Sequence, residues 1–331
     1  MSAPFAHPSD RPIVALAPMA GITDLPMRDL VTGFGADLVV SEMVASGELL
    51  TARAGTLERA ELGLERSATS VQLAGRDPAI MGEAARQVEG MGARIIDINM
   101  GCPAKKVTGG LSGSALMRDP DLALRLIEAV AEAVSLPVTL KMRLGWDDDC
   151  LNAPDLARRA EAAGVRMVVV HGRTRCQFYK GHADWAAIRS VVEAVDVPVL
   201  ANGDIVDTES ARAALKASGA RGVMVGRGIQ GRPWALATIM AELSGTTGPT
   251  TVDMGALAAR HYEAMLSFYG VDLGNRVARK HLGWYMDHAR TPAALRGRVL
   301  RSRDCAEVMS LLPEALAPHA REPHARERTA A

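Results

Sequence analysis

The sequence predicts an α/β protein in which a closed (β/α)8 barrel precedes a small all-α domain. Three observations carry that reading. Eight short β-branched apolar runs recur up to Gly226, amphipathic helical stretches lie between them, and beyond Leu243 the runs stop while helical periodicity continues. Runs apolar on both faces suit a parallel sheet covered on both sides. Eight strand-then-helix repeats favour closure into a TIM-type barrel over an open doubly wound sheet, for which no crossover signal is seen.

Taken in order, the first strand, Ile13–Met19, closes on the turn Ala17-Pro18-Met19-Ala20-Gly21. The second, Leu38–Val44, contains Ser41-Glu42, and the third, Ser70–Ala74, carries Gln72. A helix over Pro78–Met91 follows, with Gly92 as its C-terminal cap. Strand four, Arg94–Met100, bears Asp97 and Asn99 and runs into Gly101-Cys102-Pro103. The helix Asp119–Val134 opens on Asp-Pro, a capping side chain followed by a proline that needs no N–H there. Strand five, Val138–Arg143, sets Lys141 and Arg143 on one face, because side chains alternate along a strand. The helix Ala153–Ala163 ends at Gly164, and strand six, Met167–His171, ends on a histidine. Strand seven, Val197–Asn202, precedes the helix Asp207–Ser218 and Gly219, and strand eight is Gly222–Gly226. The barrel domain is therefore placed at 1–243. Ser244–Thr251 reads as a linker, and 252–320 as a helical domain built from Met254–Tyr269, Val277–Ala289, Pro292–Arg301 and Cys305–Leu312. Residues 321–331 have no apolar periodicity and read as a disordered tail.

Composition narrows the function classes. The 331 residues carry a formal net charge of zero, so no overall basic field advertises a nucleic-acid partner. No apolar run approaches the ~20 residues that span a bilayer, and the N-terminus lacks the blocks of a secretory signal. Cys102, Cys150, Cys176 and Cys305 show no ligand spacing, which argues against a disulfide framework or a metal site and fits the cytoplasm. With no uncommitted apolar stripe, a monomer is expected.

Barrel active sites form at the C-terminal ends of the strands. Here Glu42, Gln72, Asn99, Lys141, Arg143, His171, Asn202 and Arg227 top nearly every strand. Buried polar groups in such number call for a large polar ligand in the mouth. Asn202-Gly203-Asp204 and Gly226-Arg227-Gly228 stand where barrels commonly hold a phosphate, although glycines needed only for turns remain the alternative. Cys102, between a glycine and a proline just past a strand end, is either a reacting thiol or an inert loop residue. From Arg276 to Arg303 eight Arg or Lys face a single acid, Asp287, which is either a solvated face or a phosphate-tracking surface.

The blocks APMAGITDLPMR (Ala17–Arg28), VQLAG (Val71–Gly75), DINMGCPAKKV (Asp97–Val107), LKMRLGW (Leu140–Trp146), VHGRTRCQFYKGHADW (Val170–Trp185), ANGDI (Ala201–Ile205), VGRGIQGRPW (Val225–Trp234) and RKHLGWY (Arg279–Tyr285) resemble, in this order, those of the tRNA-dihydrouridine synthases, most closely the bacterial B-type branch. The resemblance implies an oxidoreductase that uses FMN and NADPH, or NADH, to reduce uridines in the D-loop of tRNA. It implies that Pro18, Met19 and Ala20 lie under the flavin ring, that Gln72, Lys141 and His171 meet its polar edge, and that Asn202, Gly203, Asp204, Gly226 and Arg227 hold its ribityl chain and phosphate. Asn99 would bond the target uracil, and Cys102 would give a proton to C5 after a hydride reaches C6. Arg143 and Lys105 are expected on the substrate side, with Lys105 and Lys106 next to either RNA or NADPH in a glycine-rich, lid-like loop. Arg279, Lys280, His281 and Tyr285 are expected on the tRNA-facing surface of the helical domain. A flavin barrel acting on a free pyrimidine, like dihydroorotate dehydrogenase, is the alternative, and the basic helical segment speaks against it.

Overall fold

The computed structural model describes residues 11–53, 55–63, 69–249 and 251–317. Among the described residues nine parallel strands form one sheet: β1 (Ile13–Leu16), β2 (Leu38–Val40), β3 (Val44–Ala45), β4 (Thr69–Ala74), β5 (Ile95–Met100), β6 (Val138–Arg143), β7 (Val165–His171), β8 (Val199–Asn202) and β9 (Gly222–Val225). The sheet closes because β2 pairs with both β1 and β4, so the barrel has eight positions, and two-residue β3 is an extra pairing on β4.

The single second run expected from sequence is thus split in two. Ser41 is the cause. Its N–H donates to the Ser70 carbonyl at 2.9 Å, while its hydroxyl accepts the Gln72 N–H at 3.0 Å and donates to the Glu42 carbonyl at 2.8 Å. A side-chain oxygen therefore replaces a ladder carbonyl at the point where the strand breaks.

The strands are apolar on both faces for two distinct reasons. One face, with Val14, Leu16, Val71, Leu73, Ile96, Ile98, Leu140, Val168 and Val223, packs against the surrounding helices. The other face fills the barrel lumen with Ile13, Ala15, Leu38, Val40, Ile95, Met167, Val169, Leu200 and Met224. The helices begin where capping chemistry begins. Asp77 and Asp119 accept the N–H of Ile80 and Leu122 ahead of Pro78 and Pro120, and Asp207 forms a reciprocal capping box with Ser210. Gly92, Gly164 and Gly219 follow helix ends at positive φ, as the sequence predicts.

The chain divides into two compact units, one running to Ile229 and resuming at Pro233–Pro249, the other joining Gln230–Arg232 to the chain after Pro249. The second unit contains helices Met254–Tyr269, Val271–Ala289, Ala293–Arg301 and Cys305–Ala315. Its long helix starts six residues before the expected Val277, a start hidden by the weak helix formers Asp272, Gly274 and Asn275. The expected tail at 321–331, and the end of the expected helical domain at 318–320, lie outside the described residues. No helix among the described residues is long and apolar enough to cross a membrane.

Candidate active site

Above the apolar plug of the lumen, the same inward face of the strands turns polar. Gln72, Asp97, Asn99, Thr139, Lys141 and Asn202 are all buried there, and the register sets Asn99 beside Lys141 and His171 beside both Arg143 and Asn202.

Two hydrogen-bonded chains organise these groups. In the first, Asp97 accepts from the Thr139 hydroxyl at 2.6 Å and from Gln72 Nε2 at 2.6 Å. The Gln72 carbonyl accepts from Asn99 Nδ2 at 2.7 Å, and Asn99 Oδ1 accepts the N–H groups of Gly101 at 3.2 Å and Cys102 at 3.0 Å. Burial pushes the Asp97 carboxyl up to about 6, against the lowering effect of its two hydrogen bonds and of the Lys141 charge. In the second chain, Lys141 Nζ donates to Asn202 Oδ1 at 3.0 Å, and Asn202 Nδ2 donates to the Met224 carbonyl at 2.8 Å. Burial, and then the charge of Arg143, push the Lys141 ammonium down to about 8. One of its three protons is engaged by Asn202, so two remain for an acceptor in the mouth.

Cys102 is held from both sides. Its carbonyl accepts from the Ser114 hydroxyl at 2.8 Å and the Ser114 N–H at 3.1 Å. Gly113 sits against it in a left-handed conformation (φ +60°), and a Cβ there would lie 2.8 Å from the Cys102 oxygen. Arg143, only 1 % exposed, donates to the carbonyls of Gly101 (2.8 Å), Thr174 (2.9 Å) and Phe178 (2.9 Å). The structure therefore makes Arg143, expected on the substrate side, a strut that ties the cysteine loop to the segment after β7. Lys105, on the short helix Lys105–Thr108 that follows Cys102, is exposed.

The far side of the mouth is built around an arginine that sequence reading passed over. Arg173, 1 % exposed, forms an ion pair with Asp204 through both terminal nitrogens. Asp204 also accepts the Ala183 N–H at 2.8 Å and contacts Arg227 Nη2 at 3.2 Å. Burial alone would raise the Asp204 carboxyl, but the Arg173 and Ala183 hydrogen bonds and the two guanidinium charges outweigh it and hold it below its ordinary value. Expected to meet a cofactor directly, Asp204 instead anchors Arg173 and Arg227, because its oxygens are already engaged. Burial, followed by the charges of Lys141, Arg143, Arg173 and Arg227, keeps His171 neutral at physiological pH. Arg173 can only donate, so His171 Nε2, 3.4 Å from it, is the acceptor and Nδ1 carries the proton. Gly203, at φ +112°, allows the chain to pass under this ring, since a Cβ would come 2.6 Å from His171 Cδ2.

In the turn after β1, the Met19 N–H donates to Thr23 Oγ1 at 2.9 Å and the Met19 carbonyl accepts from Ile22 and Thr23. Pro18 and Met19 are half-buried, and Ala20 is exposed at the tip. Glu42, noted only as a strand-end residue, accepts the Gly21 N–H and pins the turn. At Gly226 an added Cβ would meet Met19 Sδ at 3.5 Å and Ala17 Cβ at 3.7 Å, ordinary contact distances that leave the backbone without a close clash.

The helical unit corrects two expectations. His281 and Tyr285 are each 1 % exposed, and the Tyr285 hydroxyl lies 2.9 Å from His261 Nδ1, so neither can track phosphates at a surface. Arg279 and Lys280 are half-buried. Arg276, Arg290, Arg301 and Arg303 are exposed, whereas Arg296 and Arg298 pair with Asp287 and Glu307.

Residues 15–320 match the sequence profile of the family described as "Dihydrouridine synthase (Dus)". The chain is 63 % identical over 310 residues to a Rhodobacter capsulatus protein named "Probable tRNA-dihydrouridine synthase", covering 92 % of this chain and 95 % of that one. It is 54 % identical over 307 residues to one of the same name from Rhizobium leguminosarum, with 92 % and 95 % covered. It is 47 % identical over 283 residues to the Xanthomonas axonopodis "tRNA-dihydrouridine synthase B", with 84 % and 85 % covered.

Proposed function

The chain belongs to the dihydrouridine synthase family, and from that premise we propose that it reduces the C5=C6 bond of uridines in the D-loop of tRNA, using FMN and NADPH. The observation that carries this reading is the barrel mouth, where a partly engaged buried ammonium, Lys141, lies within electrostatic reach of a backbone-clamped cysteine, Cys102.

The residues present fit a flavin mononucleotide. Lys141 has two protons left for the carbonyl edge of the ring. His171 adds an Nδ1–H donor, and Gln72 keeps one amide proton beyond the one given to Asp97. Arg227, 58 % exposed at its side chain and steered by Asp204, next to the side-chain-free backbone of Gly226, suits a phosphate. When bound, FMN reduced by NADPH supplies a hydride to C6 of the uracil.

The chain's own groups do the rest. Asn99 donates one amide proton to Gln72 and retains the other for a uracil carbonyl, which orients the base. Cys102 donates a proton to C5 from the opposite face, and its backbone clamps hold the sulfur in place for that transfer. Lys141 would balance the negative charge that the flavin carries in its reduced form, before that charge passes with the hydride to the uracil. Arg276, Arg290, Arg301 and Arg303 offer the phosphate-binding surface of the helical unit, and action on tRNA fits the cytoplasm.

The test is direct. Purified protein should carry flavin absorbance and, with NADPH, should form dihydrouridine in unmodified tRNA but not from free uridine. Turnover of free uridine or uracil alone would establish the small-pyrimidine reading instead.

A further inference from the structure

An amide side chain is a two-ended connector, and its direction is set by whatever lies at each end. The chain from Asp97 to Cys102 contains two amides in series, Gln72 and Asn99, and both ends of the chain are fixed. At one end the N–H groups of Gly101 and Cys102 can only donate, so Asn99 must turn its oxygen to them and its nitrogen to Gln72. At the other end the Asp97 oxygen accepts, so Gln72 must turn its nitrogen to Asp97 and its oxygen to Asn99. Reversing either amide would set donor against donor in a buried site.

We propose that Asp97 is a positioning residue for Cys102: through Gln72 and Asn99 its carboxylate fixes the direction of the relay that holds the cysteine loop. Asp97 is 2 % exposed and touches neither the thiol nor the open mouth, so its influence passes through the two amides. The proposal deepens the reading of Cys102 as proton donor and rests on that reading for its catalytic consequence.

The chemistry separates direction from charge. In Asp97→Asn the carbonyl oxygen can still accept from Gln72, while the new NH2 meets the Thr139 hydroxyl, which can rotate to accept. The relay then keeps its direction although the charge is gone. In Asp97→Leu, of similar size, Gln72 Nε2 has no acceptor, and the Gln72 and Asn99 amides lose the fixed point that orients them.

The experiment measures carbamidomethylation of Cys102 by iodoacetamide in flavin-free protein, read by peptide mass spectrometry, alongside dihydrouridine formation by the flavin-loaded enzyme. Asp97→Leu should alkylate at least ~5-fold faster than wild type and form dihydrouridine ~10-fold more slowly, with KM for tRNA unchanged. Asp97→Asn should stay within about 2-fold of wild type in both, a rescue that a role for the charge alone would not give. Wild-type alkylation in Asp97→Leu, or a change in Asp97→Asn as large as in Asp97→Leu, would overturn the proposal. If the leucine variant fails to fold, Asp97→Ala, which also removes the acceptor, takes its place: alkylation ~5-fold faster than in Asp97→Asn supports the relay, and equal rates in the two variants sink it. Alkylation needs no substrate, so a wild-type enzyme that formed no dihydrouridine would refute the proposed function and leave this measurement standing.

Discussion

Substituting Gly113 by alanine should damage one step of the reaction and spare the other. Gly113 sits at φ +60°, where a residue with a Cβ is strained by about 1–2 kcal/mol. The added methyl would lie 2.8 Å from both the Cys102 carbonyl oxygen and Val107 Cγ1, whereas ordinary contact begins at 3.4 Å, so each of the two contacts must open by about 0.6 Å. Val107 is half-buried on a four-residue helix and its side-chain methyl can rotate away, but the Cys102 carbonyl is fixed by two hydrogen bonds from Ser114. A displacement of about 1 Å can cost ~100-fold in rate, so a shift of this size shared between the two neighbours predicts a ~10-fold loss in dihydrouridine formation. Strain and contact together predict about 2–3 kcal/mol of lost stability, a Tm lower by roughly 5–10 °C. Stopped-flow absorbance separates reduction of the protein by NADPH from its reoxidation by tRNA. The first should be unchanged within about 2-fold and the second slowed. Reoxidation at the wild-type rate, or equal loss in both phases, would refute the idea that Gly113 exists to hold the cysteine.

Two further outcomes follow from the electrostatics. Lys141 has its ammonium lowered to about 8 in the folded protein, so its cation is complete below that pH and is lost as pH rises through it. FMN affinity of the flavin-free protein should therefore fall between pH 7 and 9.5, and fluorescence titration of Lys141→Met should show a weaker but pH-flat affinity. A wild-type affinity that rose across this range would contradict the assignment. On the helical unit, replacing exposed Arg301 and Arg303 by alanine should flatten the dependence of log K for tRNA on log salt by about 1.5 to 2. Tyr285→Phe should leave that slope alone and lower stability by about 1 kcal/mol, because it loses the buried bond to His261.

The barrel was legible because strands covered on both faces read as continuous apolar runs, and because Asp-Pro and glycine mark the helix ends. Cys102 was legible because a thiol between glycine and proline past a strand end has no packing role that would place it there. Arg173 was not, since an arginine within HGRTR reads as surface charge until Asp204, 31 residues away, closes on it. Asp97 was seen only as one more polar strand residue, because its meaning lies in the cross-strand pairs with Gln72 and Thr139. His281 and Tyr285 were misplaced although the signal was present. They share their helix's buried face with Ala278, Leu282 and Met286 at three- and four-residue spacing, and the basic residues between them masked that stripe. The break at Ser41 could not be read, because a hydroxyl standing in for a ladder carbonyl leaves no mark on the hydrophobic pattern.

The central claim is that Cys102 completes uridine reduction as a proton donor, in a site whose other groups suffice to bind the flavin and to let NADPH reduce it. It is tested most directly by preparing Cys102→Ala, reducing it with NADPH and mixing it with unmodified tRNA. Flavin content and NADPH reduction should match wild type, while reoxidation by tRNA and dihydrouridine yield should fall by ~100-fold or more. Dihydrouridine formation by Cys102→Ala at the wild-type rate would contradict the account.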